Sequence, residues 1–202
     1  MKRAVLIAHY DKPLYWANHL KVDKVFIYTA NEKFPQYTQV KNRGNDASHY
    51  LSFILDHYDD LPEMTVFCHD HERNWTQEQT LPHIINHLNW NVSKYFSICS
   101  RHNFWYAIPY DSKPEHIAAM KRSWHILEKY VPYPEKLMFF AGTQFCVHRD
   151  LILQYPKEFY QNCREWAYTT NEDSWFIGRF FEYTWHYIFT GNPIEQDLKY
   201  MV

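Results

Sequence analysis

Two stretches of this sequence concentrate side chains that bind metals or carry protons. The first is His69-Asp70-His71, which closes the apolar run Thr65-Val66-Phe67-Cys68. Two imidazoles and a carboxylate are ingredients of a divalent-cation site, which needs about three protein ligands with positions left open for substrate. They equally suit hydrogen-bonding histidines that pose a loop. If the strand runs through the triplet, His69 and His71 share one side with Asp70 opposite. If it stops at His69, a turn brings all three together.

The second stretch is the helical pattern Trp175 to Phe189. Arg179, Glu182 and His186 fall in one arc beside an apolar stripe of Ile177, Phe181, Trp185, Ile188 and Phe189. Such a helix desolvates Glu182 and raises its pKa, which suits a general base, while Arg179 opposes the shift and keeps the carboxylate ionised. The same trio also makes an ordinary surface network. Glu172-Asp173, just upstream, is a competing acidic pair whose other role is to cap the helix. His83 and His87 have a metal-compatible spacing, but without a third ligand they read as a solvated helix face.

These residues need a scaffold, and the apolar runs supply one. Ala4 to Ala8 and Lys24 to Thr29 read as strands, the first ending in His9-Tyr10-Asp11. Pro13 to Leu20 suits a short helix, and 31–45 is a polar loop. Ala47, Tyr50, Leu51, Ile54, Leu55 and Tyr58 predict a helix from Asp46 to Tyr58, with Asn45 placed to cap it. After the strand that carries the triplet come a polar loop from Glu72 to Thr80, a helix from Leu81 to Leu88, a strand from Tyr95 to Cys99, an aromatic loop from Arg101 to Pro114 and a helix from Glu115 to Tyr130. Leu137 to Val147 is a second apolar run, where Gly142 suggests a bend or a close backbone approach and Gln144 is the polar exception. A helix from Asp150 breaks at Pro156 and resumes to Tyr168. Alternating strands and helices predict one α/β domain with an open, mostly parallel sheet flanked by helices. Ligands of such sheets sit beyond the carboxyl ends of the strands, where His9 and the triplet would be delivered.

A chain of 202 residues is long enough for one well-buried core. A formal net charge of -2, without a Lys/Arg-rich run, argues against a nucleic-acid partner. The apolar part of the N-terminus is too short for a signal core or a membrane span, so no stable membrane insertion and a cytoplasmic location are expected. Cys68, Cys99, Cys146 and Cys163 form no C-x-x-C pair and read as buried thiols. The aromatic content of 19% serves either a packed core or the stacking of sugars and bases.

Several runs carry a family resemblance over nearly the whole chain. Asn42-Arg43-Gly44-Asn45-Asp46-Ala47 with Tyr50-Leu51, and Tyr58-Asp59-Asp60-Leu61-Pro62, resemble N-x-G-x-E-A-x-x-Y-L and Y-D-x-L-P of the domain of unknown function 3431 family. Phe67-Cys68-His69-Asp70-His71 with Arg73 and Trp75 resembles its F-L-H-S-H-R-x-x-W, and Gln144 to Arg149 its Q-F-A-V-S-R. Gly178 to Gly191 resembles its closing G-R-V-x-E-Y-x-W-H-x-I-F-G. Here Asp70 replaces the family's usual Ser and Asp46 its Glu.

The layout is similar to that of GT-A-type, Rossmann-like glycosyltransferases, with a nucleotide-sugar half (1–75) and an acceptor half (76–202). The resemblance implies a nucleotide-sugar donor, a glycan or other hydroxyl acceptor and inverting transfer. His69, Asp70 and His71 would take the place of a D-x-D tip, gripping the diphosphate directly or through Mn²⁺ or Mg²⁺. Glu182 would be the base, with Arg179 and His186 beside it. His9, Tyr28, Asn42, Gly44, His69, Asp70 and Gln144 would line the donor side. Two other readings stay open: a metal-dependent hydrolase using the His-x-His tip with Glu182 and a bound water, and a non-catalytic carbohydrate-binding protein relying on Trp75, Trp105 and Tyr106.

Overall fold

The computed structural model describes residues 1–100, 102, 104–108 and 114–198. Six strands form the main sheet: β1 (Arg3–His9), β2 (Lys24–Thr29), β3 (Thr38–Gln39), β4 (Met64–His69), β5 (Tyr95–Ser97) and β8 (Phe145–His148), in the order β3-β2-β1-β4-β8-β5. The pairs β3/β2, β2/β1 and β1/β4 are parallel, and only β8 runs against the rest. The fold is therefore α/β with a mostly parallel sheet, as the alternation of elements predicts. A short antiparallel ribbon of β6 (Phe104–Ile108) and β7 (Leu137–Phe140) stands apart from it.

Both faces of the sheet are covered, which explains why β1 and β4 read as unbroken apolar runs. Ala4, Leu6 and Phe67 join a core with α1 (Asp46–Asp56), α5 (Lys157–Thr169) and α6 (Ser174–Thr190). Val5, Ile7, Val66 and Cys68 join a second core with Trp16 and with Leu81, Ile84 and Ile85 of α2 (Leu81–Asn86). The remaining helices are α3 (Pro114–Ser123) and α4 (Arg149–Leu153). All four cysteines are free and buried. Among the described residues no helix is long and apolar enough to cross a membrane.

The structure corrects the sequence reading in four places. The run Leu137 to Val147 is two strands in two sheets, turned at Gly142 (φ +125°) and Thr143 (φ 53°). A Cβ on Gly142 would lie 2.7 Å from Thr76 Oγ1 and 2.8 Å from Cys99 Sγ, so the close approach expected of this glycine is real. The aromatic segment contains β6, because its apolar side chains pair against β7; residues 101, 103 and 109–113 of that segment lie outside the described set. The helix from Glu115 ends at Ser123 and gives way to a 3₁₀ turn over Trp124–Ile126. Asn45 does not cap α1 with its side chain but takes a positive φ of 52° and packs against Gly178, where a Cβ would come within 2.7 Å of Asn45 Nδ2.

That last contact matters for the site. Gly44 (φ +72°) donates its N–H to Ser174 Oγ at 2.7 Å, and a Cβ on it would lie 2.5 Å from Ile177 Cγ2. Two glycines thus let the loop before α1 lie directly on α6. Asp46, the first residue of α1, is thereby brought beside the middle of α6. Asp173 caps α6 through Phe176 N–H at 2.8 Å and Glu172 pairs with Arg122 at 3.0 Å, so that acidic pair fills the structural role.

Candidate functional site

From β1 the chain moves outward to β2 and β3, then crosses to β4 on the other side of β1. This reversal opens a crevice beyond the carboxyl ends of β1 and β4, the place where open α/β sheets bind ligands. A cavity of about 570 Å³ occupies it. The tips of β1 and β4 supply His9, Tyr10 and His69 to His71; the loop and start of α1 supply Asn42, Asn45, Asp46 and His49; α6 supplies Trp175, Gly178, Arg179 and Glu182.

Glu182 is the chemical centre. Its Oε1 accepts the Gly142 N–H at 2.8 Å and its Oε2 accepts from Arg179 Nη1 at 2.8 Å. Burial raises its pKa above the ordinary carboxylate range and the Asp46 charge adds to the shift, while Arg179 and the Gly142 N–H oppose it without cancelling it. Asp46 Oδ2 is buried and lies 3.6 Å from His69 Nε2. Burial works against a charged His69, but Asp46 beside it, with the Glu182 and Asp70 charges, raises its pKa on balance. His49 sits between two carbonyls, Nδ1 at 3.0 Å from Asn45 O and Nε2 at 3.2 Å from His9 O. Burial pushes its pKa down.

The strand stops at His69, yet the triplet does not converge. Asp70 turns back and its Oδ2 accepts the N–H groups of Tyr10, Asp11 and Lys12 at 2.8, 3.2 and 3.1 Å. Burial opposes its ionisation, but these three donors and His71 more than offset that and lower its pKa. His71 is half-exposed with Nδ1 3.3 Å from Asp70 Oδ1. Both Asp70 oxygens are therefore engaged, and His69 is engaged with Asp46. Among the described residues no three His, Cys, Asp or Glu side chains are gathered to hold a metal ion. His69 and Asp70 therefore turn to different partners, Asp46 and the loop after β1, and the three side chains are not gathered as the ligand set that the sequence suggests. His83 and His87 stack on each other at 4.5 Å.

The other sequence candidates divide. His9 walls the cavity, fixed by Thr29 Oγ1 at 3.0 Å and Lys12 O at 3.2 Å, and Asn42 joins it. Gly44 acts behind the wall through its packing on α6. Tyr28 does not reach the crevice, because it points into the core and donates to Asp56 Oδ2 at 2.9 Å. Gln144 is buried behind the β4 tip, where its Oε1 accepts the His69 N–H at 3.4 Å. Arg179 and Glu182 meet in the crevice, but His186 is separated from them: it is buried off the cavity, and burial pushes its pKa down to about 4.

Sequence reasoning missed Asp46 and His49 as site residues. Their signal was present, since α1 follows the β1–β2–β3 side of the sheet and its first turn must start near the carboxyl ends of those strands. It also missed Trp175 and the Gly142 N–H. At the rim, Trp75 and Trp105 stack with centroids 5.8 Å apart. The Arg179 guanidinium lies 6.0 Å from the Trp105 centroid and 5.1 Å from that of Trp175.

Comparison with known proteins gives one match: the sequence pattern of a family described as a protein of unknown function (DUF3431) fits residues 5–200. No curated protein and no solved structure matches the chain.

Proposed function

We propose that this chain, which belongs to the DUF3431 family of proteins of unknown function, is a glycosyltransferase acting in the crevice between β1, β4 and α6. The observation that carries the reading is Glu182, a carboxylate that lines that crevice, held by a backbone N–H and Arg179, with a pKa that burial raises. The mostly parallel α/β sheet is compatible with a GT-A-like layout, in which a donor half ends in a strand tip and a carboxylate stands on a late helix. That likeness is one of architecture and ranks below the site chemistry.

In the reaction, the acceptor hydroxyl lies against Glu182. As its oxygen bonds to the anomeric carbon, Glu182 takes the proton. The bond between that carbon and the donor diphosphate breaks, and its electron pair leaves with the diphosphate. A single displacement of this kind inverts the anomeric centre. Arg179, with His69 in the same crevice, offsets charge developing on the leaving group. No step here is routed through a metal ion.

The hydrolase reading needs His69 and His71 on one ion, whereas His69 lies against Asp46 and His71 against Asp70, which favours the transferase reading over it. A purely binding role leaves unexplained why a carboxylate is buried at a cost in stability. The test is calorimetry and nucleoside-diphosphate release with a panel of UDP- and GDP-sugars, with and without Mn²⁺. The expected result is release from one donor class, slowed about 10²–10⁴-fold in Glu182→Gln while donor binding persists. Failure of every nucleotide sugar to bind overturns the proposal.

A further inference from the structure

We infer that Trp75 and Trp105 form a platform at the lip of the crevice for the pyranose rings of a neutral glycan acceptor. The inference rests on the transferase reading for the word acceptor, but the glycan-binding surface stands on its own observations.

Trp75 is 67% exposed and Trp105 38% exposed, although the two rings stack on each other. Two stacked indoles left this exposed beside a polar cavity mark a binding surface more often than an accident of packing. The platform is also rigidly presented. Trp75 sits between Asn74, whose N–H donates to Gln77 Oε1 at 3.0 Å, and Thr76, whose N–H donates to Asn74 Oδ1 at 2.9 Å. Trp105 is anchored in β6, where it pairs with Phe139. The backbone under both rings is thus already fixed, which limits the entropy lost when a ligand arrives.

Position and charge choose the occupant. The platform connects to the base: Trp105 contacts Arg179, and Arg179 donates to Glu182. It therefore stands on the α6 side of the crevice, where a hydroxyl must arrive to meet Glu182, while His9 and Asn42 of the donor side belong to the wall built by β1 and the loop before α1. Arg179, the cation that faces Trp105, is already paired with Glu182 and so is not free to recruit an anionic acceptor. Electron-rich indole faces attract the polarised C–H groups of an uncharged sugar ring, and the hydroxyls at the ring edge stay free for the polar wall.

The test is tryptophan-fluorescence and calorimetric titration of the full chain with cellohexaose, chitohexaose, mannohexaose and xylohexaose, with nucleotide sugars and free UMP and GMP titrated in parallel. At least one hexasaccharide is expected to bind, about tenfold or more weakly in Trp75→Ala, a difference of ~1.4 kcal/mol, and near wild-type strength in Trp75→Tyr. Because Trp75 is exposed, the alanine variant is expected to fold, and its melting temperature checks this. Three results overturn the inference: no hexasaccharide binds, Trp75→Ala binds it unchanged, or Trp75→Ala instead loses UMP or GMP, which would make the platform a nucleobase seat. Glycan binding with no nucleotide-sugar binding would sink the transferase reading and leave the platform. The reverse pattern would sink the platform and leave the transferase.

Discussion

Asp70 separates a structural strand tip from a metal-binding one, and replacing it tells the two apart. Its Oδ2 accepts three backbone N–H groups from residues that lie 58 to 60 positions earlier, at 2.8 to 3.2 Å, and the side chain is nearly buried. A hydrogen bond to a charged group is worth about 1.5–3 kcal/mol net. Three bonds that share one oxygen do not add fully, so Asp70→Ala is expected to cost about 3–5 kcal/mol. That is a large part of the ~5–15 kcal/mol that holds a domain together. Asp70→Asn keeps one acceptor oxygen but loses the charge, roughly halving each bond, for a cost of about 2 kcal/mol.

Urea unfolding of the metal-free chain at a series of pH values reads both numbers. The pKa of Asp70 is lowered in the fold, so its stabilisation is fully present above the unfolded value of 3.8 and is lost as the pH falls through the folded value. The gap between wild type and Asp70→Asn should therefore be constant at neutral pH and shrink only in strong acid. If Asp70→Ala leaves the metal-free stability unchanged and instead removes Mn²⁺ binding, the structural account of this residue is wrong.

Four further outcomes are expected. Burial pushes Glu195 up to about 8, between Phe140 N–H at 2.6 Å and Tyr95 OH at 3.2 Å. Its folded pKa is raised, so stability is full below the ordinary value of 4.5 and falls as the pH rises towards 8, by up to about 5 kcal/mol. Melting temperatures of Glu195→Gln should lack that slope, and parallel wild-type and variant curves would refute the point. Gly142→Ala, forced into a positive φ and against Thr76 and Cys99, should lose ~3 kcal/mol in denaturant unfolding; a loss under ~1 kcal/mol would show that the corner gives way. The acidic limb of the transfer rate should lie above the usual carboxylate range, because Glu182 must be ionised, and should move down in Asp46→Asn. An unmoved limb would disconnect Asp46 from the base. His186→Phe, a change in the buried part of α6 off the cavity, should leave donor affinity within about twofold if the melting temperature holds, and a selective loss of transfer would return His186 to the site.

What the sequence made legible was whatever local pattern decides. β2 and the course of β1, β4, α1 and α6 follow from runs of apolar residues and their periodicity, and with them the crevice at the strand tips. What it hid depends on partners far along the chain. Nothing local says that Asp70 is spent on the loop after β1, or that Gly142 sends the halves of one apolar run into different sheets. The arc Arg179, Glu182, His186 misleads for a further reason: α6 is buried on nearly every side, so no solvent face exists to select its polar residues. What selects them is the layer above. Gly44 and Gly178 remove two Cβ atoms so that the loop before α1 can lie on the first half of α6, and that contact sets Asp46 opposite Glu182. His186, one turn further along, packs into the core instead. These two glycines, one in a loop and one inside a helix, thus determine which carboxylates share the cavity, and through their mutual charge how readily Glu182 takes a proton.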